Sequence, residues 1–178
     1  MTASTSVPPL AVVVYEPGYD VEPLLDAVHA RLAARGDLRL GGVLPRVGEP
    51  LSNGKGTMML EDIATGVATV ISQDLGAGSD SCTLDIDGML RARSAIVGAI
   101  EQEVDLLFVG KFAKQEASGH GVREEIGEAM VAGIPTLVVM RETQREAWVA
   151  FAGDDQRELP PDVDAIVTWA LAATGRAG

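Results

Sequence analysis

Short apolar runs alternate with segments of helical periodicity along most of the chain. A short continuous apolar run is typical of a strand that is covered on both faces. Four such runs predict strands at 10–15 (LAVVVY), 38–46 (LRLGGVLPR), 105–110 (DLLFVG) and 135–140 (PTLVVM). Apolar positions at helical spacing predict helices at 21–35, 87–103 and 123–132, and two further helices at 145–153 and 160–174. Gly133 is expected to end the third of these helices.

The segment between residues 50 and 74 breaks this alternation. SNGKG is a turn signal, and TMMLEDI and VATVIS predict two short antiparallel strands joined around ATG. Alternating strands and helices favour a three-layer α/β fold with a mainly parallel sheet. The sequence therefore predicts one α/β domain over residues 10–174, after a flexible tail over residues 1–9. The hairpin is either an insertion or an antiparallel edge of the sheet.

Composition and charge exclude several classes of partner. The 178 residues carry 14 Lys and Arg against 26 Asp and Glu, a formal net charge of −12, so neither nucleic acid nor an anionic membrane is an expected partner. The single cysteine, Cys82, permits no internal disulfide and no cysteine-based zinc motif. The chain shows no secretory signal and no run of roughly 18 apolar residues, the length that spans a bilayer. We expect a soluble, cytoplasmic protein.

Several longer strings carry a resemblance to a known family. ISQDLGAGS, KFAKQEASGHGVRE, AGIP and WVAFAG, within residues 10–153, resemble a bacterial family of unknown function whose genes often lie beside molybdate-uptake genes. The order of elements is also similar, more distantly, to the THEP-type nucleoside triphosphatases of the P-loop class. This resemblance implies a P-loop-like layout, a link to molybdate-uptake components, and molybdate or a nucleotide as the candidate ligand.

The chain departs from the P-loop pattern at both places that grip a nucleotide. A working P-loop has the form G-x-x-x-x-G-K-[ST] after the first strand, where backbone N–H groups and the lysine hold phosphates. The corresponding stretch here is YEPGYDVEPLL, which has one glycine, no lysine and no hydroxyl residue. The third strand should end in an acid that supports Mg²⁺, but it ends in Gly110 and Lys111. The sequence therefore argues against ordinary Mg²⁺-dependent hydrolysis.

A basic cluster follows the third predicted strand. Lys111, Lys114 and Arg123 lie within thirteen residues, and Arg46 follows the second strand in a similar way. Ligands of parallel α/β sheets gather beyond the carboxyl ends of the strands, so these cations are candidates for an anion site. The alternative is ordinary surface pairing with neighbouring carboxylates, namely Glu116, Glu124 and Glu125.

Small residues and a histidine separate the cations of this cluster. Gly119 and Gly121 permit a close approach of the backbone to a ligand. His120 lies between them and could supply a proton or a hydrogen-bond donor near neutral pH. An exposed histidine without a role is the alternative. No second histidine is near enough in sequence to suggest a metal centre.

The glycine-rich loop SQDLGAGSDSC (72–82) is the second candidate site. Gln73 and the serine hydroxyls are neutral donors, and such loops bind oxyanions through many hydrogen bonds. Asp74 would oppose an anion directly, but it could orient a lysine or an arginine. A plain connecting loop is the alternative. Cys82 could react or bind a soft metal, although a lone cysteine is more often inert core.

The remaining distinctive side chains favour structural roles. His29 falls on the first predicted helix and is expected to be structural or solvent-facing. Trp148, Phe151 and Trp169 fit a core or a homo-oligomer contact better than a surface for stacking bases.

These features favour an accessory protein, non-catalytic or weakly catalytic, that binds a small anion such as molybdate, phosphate or a nucleotide. The predicted site comprises Arg46, Gln73, Asp74, Lys111, Lys114, Gly119, His120 and Arg123. A divergent nucleotide hydrolase or transferase is the first alternative, and Asp74 or Glu116 would then supply the catalytic acid. A protein–protein adaptor is the second alternative, which an exposed apolar face would favour.

Overall fold

The computed structural model describes residues 7–78 and 84–177. Its strands are β1 Leu10–Tyr15, β2 Leu40–Pro50, β3 Gly56–Asp62, β4 Ala68–Val70, β5 Leu106–Phe112, β6 Thr136–Arg141 and β7 Arg157–Leu159. Its helices are α1 Glu22–Ala33, α2 Ile86–Glu101, α3 Lys114–Ala117, α4 Arg123–Ala132, α5 Arg145–Ala152 and α6 Val163–Ala173, with a 3₁₀ turn at Glu142–Gln144. All four predicted buried strands and all five predicted helices are present, with boundaries shifted by a few residues.

The strands form one seven-stranded sheet in the order β4-β3-β2-β5-β6-β1-β7. The pairs β2–β5, β5–β6, β6–β1 and β1–β7 are parallel, whereas β2–β3 and β3–β4 are antiparallel. The predicted fold class is therefore confirmed, and the hairpin forms an antiparallel edge of the sheet. β7 was not predicted, because its three residues are too few to show any periodicity.

Helices cover both faces of the sheet and create two separate cores. On one face, α1 and α6 contact each other and bury side chains such as Val28, Leu32 and Trp169 against the sheet. On the other face, α2, α4 and α5 pack around Ile96, Ile126 and Trp148. Successive residues of a strand point to opposite faces of the sheet, and here each face lies against a core. Every position of a central strand is therefore buried, which explains why the runs are apolar throughout. The core role predicted for Trp148 and Trp169 is confirmed, since their exposed fractions are 0% and 4%.

Local signals fix several ends of these elements. Asp162 caps α6 by accepting a hydrogen bond from the Ala165 N–H at 2.8 Å. Gly133 ends α4 in a left-handed conformation with φ 70°, as expected from the sequence. At the start of the chain, the carbonyls of Pro8 and Pro9 accept hydrogen bonds from Trp169 Nε1 and the Thr136 N–H. These two residues are thus attached to the domain, unlike the predicted tail over 1–9.

Gly110 brings the end of β5 close to β2. A Cβ atom at this position would lie 2.5 Å from Cδ of Pro45, which is too close for any larger residue. The β5–β6 register also shifts between Val109 and Phe112. This irregular strand end is where Lys111 leaves the sheet.

In the parts of the chain that the structure describes, no helix has both the length and the apolar character to cross a membrane.

Candidate anion site at the strand ends

The carboxyl ends of β1 and β6 form a topological switch point. The two strands are adjacent and parallel, with Tyr15 paired in register with Arg141. After β1 the chain enters α1 on one face of the sheet, and after β6 it enters α5 on the other face. In open α/β sheets the crevice between two such strands is the usual place for a ligand. The site is therefore built from the ends of β1, β6 and the next strand, β5.

Lys111 is the predicted residue that lies at this crevice. Its side chain is half-buried, and it forms no hydrogen bond or ion pair with the described residues. Burial lowers the pKa of Lys111, and the positive charge of Arg141 lowers it further, whereas the carboxylate of Glu22 acts in the opposite direction. Desolvation disfavours an ammonium group, and a second cation adds repulsion. An anion bound here would relieve both costs.

Tyr15 and Arg141 complete the cluster, and neither was predicted. Tyr15 is 4% exposed, and its buried hydroxyl has no hydrogen-bond partner. Burial raises the pKa of this hydroxyl, and the nearby Arg141 guanidinium partly offsets the rise without reaching good hydrogen-bond geometry. Arg141 is exposed and forms no ion pair within the described residues. A buried donor without a partner is uncommon in folded proteins, and it is a reason to look for a ligand.

The turn between β1 and α1 supplies its own carboxylate. Asp20 Oδ1 accepts a hydrogen bond from the Glu22 N–H at 3.1 Å, at the start of α1. The next residue, Pro23, has no N–H to offer. An aspartate therefore occupies part of the helix end that would bind phosphate in a working P-loop. Any anion near this turn must be held chiefly by side chains from β5 and β6.

Arg46 has two carboxylate partners of its own. Its guanidinium donates hydrogen bonds to Asp26 at 2.8 Å and to Glu61 at 3.0 Å. These two carboxylates outweigh the effect of burial and raise the pKa of Arg46. Arg46 therefore links α1 to the β2–β3 hairpin through two ion pairs, and its Nη1 atom is buried without a hydrogen-bond partner. The sequence could not show this, because Asp26 and Glu61 lie 20 and 15 residues away.

Among the described residues, Asp74 and Gln73 form no hydrogen bond or ion pair with Lys111 and Arg141, which we call the cation pair. Asp74 accepts hydrogen bonds from the Ser52 N–H and hydroxyl, at 3.1 and 2.6 Å, and from the Gly76 N–H at 3.0 Å. These bonds attach the loop to the turn of the β2–β3 hairpin and lower the pKa of Asp74. Gln73 is exposed. Cys82 and the neighbouring serines, Ser79 and Ser81, lie outside the described residues.

The glycine-containing loop after β5 is folded around a buried carboxylate. Glu116 is 5% exposed and accepts hydrogen bonds from the Ala113 N–H at 3.0 Å and the Val122 N–H at 3.1 Å. Burial raises the pKa of Glu116, while these two backbone donors oppose the rise. A Cβ at Gly121, where φ is +65°, would lie 2.0 Å from Glu116 Oε1. Gly121 thus makes room for this internal carboxylate.

The other predicted residues of this loop are exposed or have their own partners. Arg123 donates a hydrogen bond to the Glu116 carbonyl at 3.1 Å and lies 4.7 Å from the ring centroid of Phe151. Its predicted surface partners, Glu124 and Glu125, instead pair with Arg93. The remaining predicted residues, Lys114, Gly119 and His120, are exposed.

His29 and the acidic residues suggest no metal centre. His29 packs edge-to-face on Phe108, with ring centroids 5.9 Å apart, in agreement with a structural role. Within residues 7–78 and 84–177, no group of three His, Cys, Asp or Glu side chains is arranged to hold a metal ion.

A cavity of about 490 Å³ opens beside the cation pair, between the ends of β1 and β7. Tyr15 belongs to both, and Glu142 in the cavity wall directly follows Arg141. Arg145 donates hydrogen bonds to Glu142 and to Glu158, so its charge is already balanced. The cavity is consequently acidic, whereas the adjoining strand ends are basic.

Similar proteins agree with this architecture. The chain is 38% identical over 160 residues to the "Molybdenum import ATP-binding protein ModC 2" of Bradyrhizobium diazoefficiens; the match covers 90% of this chain but only 18% of that longer protein. The crystal structure of THEP1 from Aquifex aeolicus superposes with a TM-score of 0.61 at 12% identity, covering 90% of this chain and 94% of THEP1. At that identity the likeness shows the fold alone, and it confirms the P-loop-like layout. Residues 10–169 match the model of a family described as "Protein of unknown function (DUF2478)", and the chain belongs to that family.

Proposed function

We propose that this domain binds an oxyanion or a phosphate group at the carboxyl ends of β1, β5 and β6, as an accessory domain without its own catalytic machinery. The observation that carries the proposal is the position of Lys111 beside Arg141, with no ion-pair partner for either among the described residues. The chain has a formal charge of −12, so carboxylates are plentiful elsewhere. A half-buried cation next to a second cation costs folding free energy, which a bound anion would offset.

The chemistry of the two cationic side chains suits a tetrahedral oxyanion. A guanidinium offers a planar set of donors, and an ammonium acts as a point charge. Hydrogen bonds between charged partners are about twice as strong as neutral ones. Phosphate and molybdate present similar oxygens to such donors. The name of the ModC 2 relative makes molybdate one ligand that we propose for this chain, and a link to molybdate-uptake components the corresponding partner.

Calorimetric titration tests this proposal. We expect the purified chain to release or absorb heat with at least one of phosphate, molybdate, tungstate and sulfate. The affinity should fall as pH rises, because Lys111 must keep its proton and its lowered pKa brings that loss below the ordinary 10.5. No heat with any of the four, at protein concentrations well above micromolar, would contradict anion binding.

A phosphate-release assay and the same titration distinguish two alternatives. An enzyme would need an acid, but Asp74 and Glu116 are occupied by backbone and hydroxyl donors. Phosphate release from nucleotides in the presence of Mg²⁺, lost in Lys111→Ala, would favour that class. An adaptor is supported by exposed apolar residues near the free edge of β4, namely Val67, Val70, Ile86 and Leu90. A silent titration would favour this second alternative.

A further inference from the structure

The acidic cavity and the basic cation pair lie side by side, so they suit a ligand with an anionic end and a hydrogen-bond-donating end. A bare oxyanion would fill only the basic strand ends and leave about 490 Å³ of adjoining cavity empty. Tyr15 forms a shared wall, since its side chain lines the cavity and its hydroxyl lies near Arg141. Lys111 and Arg141 do not line the cavity themselves, but Tyr15, which does, pairs in register with Arg141, so a ligand on these cations would reach the cavity past Tyr15.

The cavity is lined both by apolar surfaces and by hydrogen-bond acceptors. Tyr19 is 43% exposed and lies at 6.0 Å from Tyr15 between ring centroids, and Pro160 and Pro161 face the same space. Rings and prolines provide flat surfaces for an organic group. The carboxylates of Glu16, Glu142 and Glu158 provide acceptors, and only Arg145 balances them.

We propose that the ligand is a phosphate ester whose organic part carries hydroxyl or amino groups, with the phosphate on Lys111 and Arg141 and the organic part in the cavity beside Tyr19 and Glu16. This inference rests on the proposed anion site. Carboxylates repel a second anionic group, so they select an organic part that donates hydrogen bonds. Glu16 is the acceptor of choice, because it forms no ion pair among the described residues and Glu142 and Glu158 already share Arg145.

Titration calorimetry with inorganic phosphate, ribose 5-phosphate and AMP tests the inference. We expect at least one of the two esters to bind about tenfold more tightly than inorganic phosphate, the gain expected from one or two added hydrogen bonds. Glu16→Ala should weaken ester binding by about threefold to tenfold and leave phosphate binding unchanged or slightly stronger, since a repelling charge is lost. Tyr19→Ala should also weaken ester binding only. Glu146→Ala, which removes an exposed carboxylate of α5 that does not line the cavity, is the matched control.

The possible outcomes separate the two proposals. Esters and inorganic phosphate binding equally, or esters binding more tightly without any effect of Glu16→Ala and Tyr19→Ala, would overturn the cavity assignment and leave the anion site standing. If neither phosphate nor either ester binds while molybdate does, the anion site also stands and the ester is the wrong class. Failure of every anion would remove the proposed function and the inference together.

Discussion

Lys111→Met is expected to make the free protein more stable and, at the same time, poorer at binding anions. The substitution removes a half-buried ammonium group that lies beside Arg141 and has no ion-pair partner among the described residues. Replacing such a charge with an apolar chain of similar length should raise the free energy of unfolding by about 1 kcal/mol. The same change removes a charged donor from the site and should weaken phosphate or molybdate binding by about tenfold to a hundredfold.

Urea unfolding and calorimetric titration measure the two halves of this prediction. Lys114→Met is the matched control, because Lys114 lies on α3 and is exposed, whereas Lys111 is half-buried in β5. It should change the stability by no more than about 0.5 kcal/mol and leave the titration as in the wild type. Equal effects of the two variants would show that the whole basic loop acts together, as the sequence pattern suggested. A loss of stability in Lys111→Met would mean that Lys111 has a structural partner.

Glu116→Ala should destabilise the protein, in contrast to Lys111→Met. The carboxylate satisfies the backbone N–H groups of Ala113 and Val122 inside the loop that follows β5. Without it, both donors lose their partner, and each buried unsatisfied donor costs about 1–3 kcal/mol. We expect the free energy of unfolding to fall by about 2–4 kcal/mol, measured by urea unfolding of both proteins.

Gln115→Ala provides the control for this loop. Gln115 is the exposed neighbour of Glu116 in the same short helix, so its truncation should have little effect on stability. A change of less than about 1 kcal/mol in Glu116→Ala would show that water replaces the carboxylate at little cost. It would then reopen a ligand-binding role for the glycines of this loop.

The turn after β1 differs from a phosphate-binding P-loop in the backbone N–H groups that it offers. With Asp20 bonded to the start of α1 and Pro23 lacking an N–H, the backbone offers little to a phosphate. The positive groups come instead from the ends of β5 and β6, at the same crevice. Under the proposed function, the ligand would keep the position that the sheet topology favours, while the groups that contact it would differ.

The sheet and its helices could be predicted because their signals are local. Each buried strand is a run of apolar residues, and Gly133 and Asp162 mark helix ends within a few residues of the pattern they terminate. The edge hairpin was recognisable from its turn residues. β7 was not predicted, because it is a strand only through its pairing with β1, which lies far away in the sequence.

The site was only partly predictable. Lys111 could be found because a charged residue directly follows an apolar run, and the same signal marks Arg141, which was missed because no basic cluster surrounds it. Tyr15 is the last residue of its apolar run, so the sequence pattern assigned it to the strand and not to a site. The contacts of Arg46 and Gly121 could not be predicted for another reason: they involve Asp26, Glu61 and Glu116, which come near only in the folded chain.

The position of a bound heavy oxyanion tests the central claim most directly. Crystals of the protein soaked in sodium tungstate would show tungsten by anomalous scattering. The account predicts a peak at the carboxyl ends of β5 and β6, within hydrogen-bonding reach of Lys111 Nζ and Arg141, and its loss in Lys111→Met crystals. A peak elsewhere on the molecule, or none under conditions where calorimetry detects tungstate binding, would contradict it.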